Sequence, residues 1–369
     1  LLKIKNMSTA KIGFLGAGGI ARSHAFALSA LKFYYSDAPD IILETVHSAR
    51  ADSRGAFARQ YCFNRAVDYY AFVENREIDT VFILGPNHIH FTHLEAALKM
   101  PSVKRIYLEK PVCSNIQEEE EMKKLLSLYK DEKQIQVGFQ MTQTSAIQEA
   151  MKLWKSGALG KPVHFNFTLK HGDYLQRSYR EKRVTRLTPA PDGGAMADLG
   201  SHAVSLAMAF MGEDLKILHA VQSGTFEDVP AGSDLYSEIS VIDKGTGAVG
   251  TISGSRISSG TGDLMAFEIF AEKGALRYSS HVPDTFEYYT EKDGNWIKVF
   301  CGSNYSPATS FPSGHVPGGW LRSLIHAHYV FLTKYPHSVF IPDLKHGLAV
   351  QRIVRETAGW MEKFRKELN

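Results

Sequence analysis

Short apolar runs alternate with longer amphipathic ones from residue 11 onward. KIGFLG (11–16) reads as a strand and GIARSHAFALSAL (19–31) as a helix, and IILETVH (41–47) precedes the helical DSRGAFARQY (52–61). The pattern continues through DTVFIL (79–84), HFTHLEAALKM (90–100), VKRIYLE (103–109), IQEEEEMKKLLSLYK (116–130) and QIQVGFQ (134–140). Strands separated by helices of this length need crossover connections, so the pattern predicts an α/β domain with a doubly wound parallel sheet of five strands. The acidic run in 116–130 reads as a solvated helix face, with Glu119 facing Lys123 and Glu120 facing Lys124 one turn on.

After residue 141 the period changes. One helix (143–156) stops at SGALGKP, where Gly157, Gly160 and Pro162 are termination signals. Period-two runs follow at 163–170, 216–226, 235–242, 247–256, 264–279 (turning at Lys273-Gly274) and 285–291. Consecutive strands joined by short turns predict a large, mainly antiparallel sheet, with helices on one face that include 198–211. Helices at 317–333 and 344–366 close the chain. The change of pattern places a boundary between domains 1–141 and 142–369, with no low-complexity linker.

Composition narrows the chemistry. The chain has 369 residues, 44% hydrophobic and 22% charged, with a formal net charge of +3; that is ordinary for a folded two-domain protein, and it lacks the basic footprint of a nucleic-acid binder. The three cysteines, Cys62, Cys113 and Cys301, form no C-x-x-C pair, which points away from a disulfide framework or a structural zinc site. No apolar run is long enough to span a bilayer, and LLKIKNMSTAK lacks the apolar core of a signal peptide, so a cytoplasmic protein without membrane partners is expected, with Met7 a natural start.

Three motifs carry candidate chemistry. GAGGIA supplies Gly16, Gly18 and Ala21 in the form G-x-G-x-x-A, directly after a strand and opening a helix, with Gly19 and Ile20 inside it. In that context it predicts a dinucleotide site: a tight turn at Gly16, bare backbone at Gly18 and a helix N-terminus aimed at a pyrophosphate. Strand 41–47 ends in VHSARADSR, putting Ser48 and Arg50 where an NAD site usually offers a carboxylate, while Glu44 is too early. A hydroxyl and a guanidinium suit a phosphate monoester, which favours NADP over NAD, the alternative being that Arg50 merely starts a helix. EKP (Glu109, Lys110, Pro111) follows the strand 103–109 and so stands at the ligand-binding end of a doubly wound sheet, unless Lys110 is only a solvated loop residue. MADLGSH places Asp198 and His202 four positions apart, so that the carboxylate can orient the imidazole, with Gly193, Gly194 and Gly200 leaving room for close approach. Asp198 as a helix cap and His202 as a satisfied core histidine explain the spacing as well, whereas a metal site would need a third ligand brought in from His88, His90 or His93. No metal is expected.

Taken together, GFLGAGGIA, LGPNHIH, EKP, SGALGKP and GGAMADLGSH, in this order from residue 11 to about 212, resemble the glucose-fructose oxidoreductase, inositol 2-dehydrogenase and rhizopine catabolism protein family. The resemblance implies a Rossmann domain followed by an α/β domain with a large open sheet used for substrate binding and for homodimer or homotetramer contacts. It further implies a catalytic constellation of Lys110, Asp198 and His202, a cofactor border at Pro86, Asn87, His90 and Glu109, and a cis peptide before Pro111. GFQMTQTSA stands where many relatives carry an Arg, and DGG where many carry three glycines, so recognition of a substrate transfers less directly than the reaction. The basic loop with Arg177, Arg180, Lys182, Arg183 and Arg186 either meets an acidic sugar or is a solvated loop. The expected function is an NAD(P)-dependent oxidoreductase acting on the CH-OH group of a sugar, cyclitol or related polyol, with His202 handling the proton. A glycosidase with retained NAD and a non-catalytic cofactor sensor are the competing readings.

Overall fold

Six parallel strands form the first sheet: β1 (Thr9–Leu15), β2 (Asp40–His47), β3 (Arg65–Val67), β4 (Thr80–Ile83), β5 (Arg105–Leu108) and β6 (Gln134–Val137). They are seen in a computed structural model that describes residues 8–129, 132–190, 193–224, 226–302, 305, 319–334, 336 and 338–368. The spatial order is β3-β2-β1-β4-β5-β6, so the direction of winding reverses between β1 and β4, and a ligand crevice belongs beyond their carboxyl ends. β3 is the strand that the sequence pattern does not show: it has three residues, sits at the sheet edge and exposes Arg65 and Ala66. Crossovers run through helices Gly19–Tyr34, Ala51–Tyr61, His90–Lys99 and Ile116–Tyr129. In the last of these the Glu119–Lys123 pair forms at 3.1 Å, but Glu119 is buried and Lys124 pairs with Glu121, so the face is not uniformly solvated.

The chain divides into two compact units, and the division departs from a single break near 141. Tyr305 and Trp320–Lys345 belong with the first unit, beside the stretch that ends at Gln143. The helix Gly319–Thr333 explains why: Leu324, Ile325, Tyr329, Val330, Phe331 and Leu332 share one core with Ile12, Phe14, Phe82 and Tyr107 of the parallel sheet. Beside it, the Val137 amide donates to the Pro342 carbonyl at 2.8 Å, so the returning chain pairs along β6. A hydrophobic pattern predicts a helix but not its partner, and these contacts span some of the longest sequence separations in the chain.

The second unit is built on eight strands in the order β14-β13-β12-β11-β7-β10-β9-β8. They are β7 (Pro162–Lys170), β8 (Leu215–Ser223), β9 (Tyr236–Asp243), β10 (Val249–Ser255), β11 (Leu264–Ala271), β12 (Gly274–Ser279), β13 (Thr285–Thr290) and β14 (Trp296–Phe300). All neighbours are antiparallel except β7 and β10. Helices Ser145–Lys155 and Ser201–Met211 pack on this sheet and on each other, and Phe167, Phe210 and Phe267 meet there with ring centroids 4.9 to 6.1 Å apart. Among the described residues no helix is long and apolar enough to cross a membrane.

Phe331 is fully buried against Phe82 and Tyr107. Phe331→Ala is therefore expected to cost about 3–5 kcal/mol in urea unfolding followed by fluorescence; a loss below about 1 kcal/mol would show that this helix does not help to hold the first core.

Candidate active site

The glycine turn is shaped by one close approach. Gly16 has φ +132, and a Cβ there would stand 2.6 Å from the carbonyl of Leu84 and 2.7 Å from the Gly85 amide, so a side chain is excluded on both conformational and steric grounds. Its amide donates to the His47 carbonyl at 2.9 Å, tying the turn to the end of β2. Gly18 and Gly19 differ: nothing lies within 4 Å of a Cβ at either, and both are exposed. Helix Gly19–Tyr34 starts there without a side-chain cap and without an acidic residue in its first turn. Ile20 and Ala21 turn toward the core and anchor that first turn.

At the end of β2, Ser48 is half-buried and Arg50 exposed. The Arg50 Nε donates to Ser53 Oγ at 3.1 Å, and Arg54 Nη1 donates to the Ser48 carbonyl at 3.1 Å, so two guanidinium groups flank the strand end. Glu44, by contrast, accepts from Asn64 at 2.7 Å and Arg65 at 2.8 Å, engaged away from that end.

The loops after β4 and β5 are stitched together by His90. Its ring is buried, with Nδ1 2.7 Å from the Pro111 carbonyl and Nε2 2.9 Å from the Gly85 carbonyl. Burial lowers its pKa, and both ring nitrogens face backbone carbonyls, so this side chain ties the two loops together. Pro86 is exposed and Asn87 half-buried at the short helical turn between them. The Lys110-Pro111 peptide is cis, as the resemblance implied. Lys110 is half-buried, whereas the Glu109 carboxylate points inward to His24, with Nε2 to Oε1 at 3.0 Å.

In the second unit Asp198 and His202 lie on one unusual stretch. Met196–Gly200 winds as a π-helical turn that leads into helix Ser201–Met211, a distortion that often marks functional sites. Gly200 is the residue before that helix and no side chain caps it, so Asp198 is not a helix cap. Oδ2 of Asp198 instead accepts from Nη2 of Arg256 at 2.9 Å and Nη1 of Arg186 at 3.4 Å. Arg256 is buried, with Nη1 donating to the Arg186 carbonyl at 3.0 Å and its guanidinium 4.9 Å from the Tyr174 ring centre. His202 is 7% exposed. The glycines allow close backbone packing: a Cβ on Gly254 of β10 would lie 2.6 Å from both the Ala195 carbonyl and the Gly200 amide, and one on Gly194, at φ +83, would strike Asp234. In the basic loop, Arg180 is buried on Asp228 through two bonds of 2.7 and 2.9 Å, so it is structural rather than solvated. Among the described residues no group of three or more His, Cys, Asp or Glu could hold a metal ion.

Comparison with known families gives this geometry its context. Residues 10–139 match the model described as oxidoreductase family, NAD-binding Rossmann fold, and residues 147–277 the GFO/IDH/MocA C-terminal domain. The chain belongs to the Gfo/Idh/MocA oxidoreductase family. A levoglucosan dehydrogenase of Pseudarthrobacter phenanthrenivorans is 25% identical over 380 residues, covering 94% of this chain and 95% of that protein. The inositol 2-dehydrogenase of Rhizobium meliloti is 25% identical over 333 residues, covering 83% and 92%. Among solved structures, an NAD binding oxidoreductase from Klebsiella pneumoniae superimposes with a TM-score of 0.83 at 23% identity, over 96% of this chain and 98% of that one. A levoglucosan dehydrogenase in complex with NADH and L-sorbose gives 0.83 at 21%, over 97% and 98%. These superpositions establish the two-part fold of the family.

Within this Gfo/Idh/MocA oxidoreductase, three residues that contact candidate residues escape a reading by motif: His24 and His328 in the first unit and Arg256 in the second. His24 stands at a core position of its helix between the buried Ala21, Ala25 and Leu28, so a polar side chain on an apolar stripe was the available signal. Arg256, the last residue of the period-two run 247–256, gives none. Arg256 is buried while Asp198 is partly exposed and keeps Arg186, so Arg256→Ala, which removes a charge-assisted hydrogen bond, should lose about 1.5–3 kcal/mol in chemical unfolding. Arg186, exposed, should contribute under about 1 kcal/mol when replaced by Ala; equal losses from the two would mean that Arg256 does not hold Asp198.

Proposed function

We propose that this chain is an NAD(P)-dependent dehydrogenase or reductase that interconverts a carbinol and a ketone carbon of a sugar, cyclitol or related polyol. The observation that carries the reading is the bare helix N-terminus at Gly18–Gly19, set by Gly16 at the switch point of the sheet. Unshielded amides at the positive end of a 16-residue helix suit a pyrophosphate, and open space around both glycines lets it approach. The residues therefore fit a dinucleotide, with Gly16, Gly18, Gly19, Ile20 and Ala21 shaping the phosphate turn and Pro86, Asn87 and the backbone of Glu109–Lys110 bordering it. The absence of a carboxylate at the end of β2, and the presence there of Ser48, Arg50 and Arg54, favour NADP over NAD.

When bound, the nicotinamide supplies the two-electron acceptor or donor. What the chain must add is proton control and orientation. His202 takes the proton from the substrate hydroxyl, or returns it, at the oxygen of the reacting carbon. Asp198, four positions before His202 and held through Oδ2 by Arg256 and Arg186, is assigned the role of orienting and supporting that imidazole. The Lys110 ammonium donates a hydrogen bond to the reacting oxygen and favours its developing charge. Dehydrogenases of levoglucosan and of inositol among the relatives support a polyol substrate. The proposal includes the cytoplasm as compartment and a homodimer or homotetramer through the open face of the eight-stranded sheet.

The test is a panel of sugars and cyclitols oxidised with NAD or NADP and followed by reduced-nicotinamide absorbance. His202→Ala is expected to lose at least about 10² in turnover while binding cofactor normally; near-normal turnover would remove the imidazole from the mechanism. Arg50→Ala should weaken NADP binding by about 1.5–3 kcal/mol and leave NAD unchanged in calorimetric titration, and an unaltered NADP affinity would reject the phosphate assignment.

A further inference from the structure

Behind the loop that carries Lys110, three ionisable side chains from three different elements form a continuous chain. His24, from helix Gly19–Tyr34, places Nε2 3.0 Å from Oε1 of Glu109 and Nδ1 2.9 Å from Nε2 of His328, on helix Gly319–Thr333. Both histidines are fully buried and Glu109 is 7% exposed. Their surroundings are aromatic: the two imidazoles stack with centroids 5.0 Å apart, with Phe82 and Tyr107 packed edge-on against them. Gly138 closes the other side, since a Cβ there would stand 2.6 Å from Oε1 of Glu109. The second carboxylate oxygen accepts from the Lys110 amide at 3.3 Å.

The partners fix the direction of this chain. A carboxylate can only accept, so Nε2 of His24 donates to Glu109. Nδ1 of His328 has no hydrogen-bond partner among the described residues. A buried lone pair left there costs less than a buried N–H, so the His328 proton sits on Nε2 and Nδ1 of His24 receives it. Burial, which pushes the pKa of His328 well below its usual value, keeps that ring neutral. Packing three elements with apolar side chains would avoid the cost of burying these groups. What the polar chain supplies instead is a carboxylate fixed in place, with one oxygen on the backbone of Lys110.

We propose that His24 and His328 are positioning residues for Lys110: by pinning the Glu109 carboxylate they set the backbone from which the Lys110 amine reaches the reacting oxygen. This rests on the role given to Lys110 above. A displacement of about 1 Å at a reacting group can cost about a hundredfold in rate, so the effect belongs in kcat rather than in binding.

The experiment uses the full chain, with myo-inositol and levoglucosan among the polyols tested, and reads three quantities for each variant: turnover, cofactor affinity by NADPH fluorescence, and competitive acetylation of Lys110 by acetic anhydride relative to exposed Lys124 without any substrate. His24→Leu should lower kcat by at least about tenfold with KM and cofactor affinity within about threefold of the original. It should also shift the relative acetylation of Lys110 by about threefold or more. His24→Gln, whose amide can donate to Glu109 and accept from His328, should restore both quantities, and His328→Leu should fall between. If His24→Leu does not fold, His328→Leu and His24→Gln decide the matter on the same readouts. Unchanged acetylation and turnover in the Leu variants, or identical losses for Leu and Gln, would overturn the inference. Lys110→Met separates the two levels: full turnover in that variant overturns the role of Lys110 itself, whereas an inactive Lys110→Met beside a fully active His24→Leu overturns only the positioning chain.

Discussion

The Cα of Gly16 rests so near the backbone at Leu84 and Gly85 that no side chain fits between them, and the first unit is organised around that approach. It lets β1 end flush against the β4 loop and turns the chain at once into helix Gly19–Tyr34, whose exposed amides then stand where the sheet reverses its winding. The same helix carries His24 inward to Glu109. One short turn thus sets both an uncapped helix start on the surface and, through His24, a polar anchor in the core beside the loop that carries Lys110.

A comparable economy governs the second unit. Gly254 brings β10 into backbone contact with Ala195 and Gly200, holding the π-helical turn on which Asp198 stands. Arg256 follows on the same strand's end and takes the Asp198 carboxylate from a buried position. The low dielectric around a buried guanidinium makes such a bond directional as well as strong. Asp198 is therefore held by the sheet and not by its own helix, which explains how a carboxylate persists within an otherwise apolar run.

Much of this was legible in the chain. The strand, glycine turn and helix at 9–34, the loop at 109–111 and the change of period after 141 follow from local rules that act over a few residues, and the structure places elements there. What local rules cannot convey is partnership across the chain. Helix 319–333 is plain as a helix, yet nothing in its period says that it completes the core of β1, β4 and β5. The His24–His328 contact joins residues 304 positions apart, and the Arg256–Asp198 pair joins two ends that the strand pattern treats as unrelated. Short edge strands failed for a different reason. β3 has three residues, and β14 exposes Trp296, Lys298 and Phe300, so neither offers an apolar face long enough to register.

The most direct measurement uses a polyol turned over by the chain, labelled with deuterium at its carbinol carbon, with the coenzyme recovered afterwards for mass spectrometry. Direct hydride transfer should leave the deuterium on the nicotinamide ring, one label per oxidation. Release of the label to solvent, or turnover that leaves the coenzyme unlabelled, would contradict hydride transfer between this substrate carbon and the bound dinucleotide.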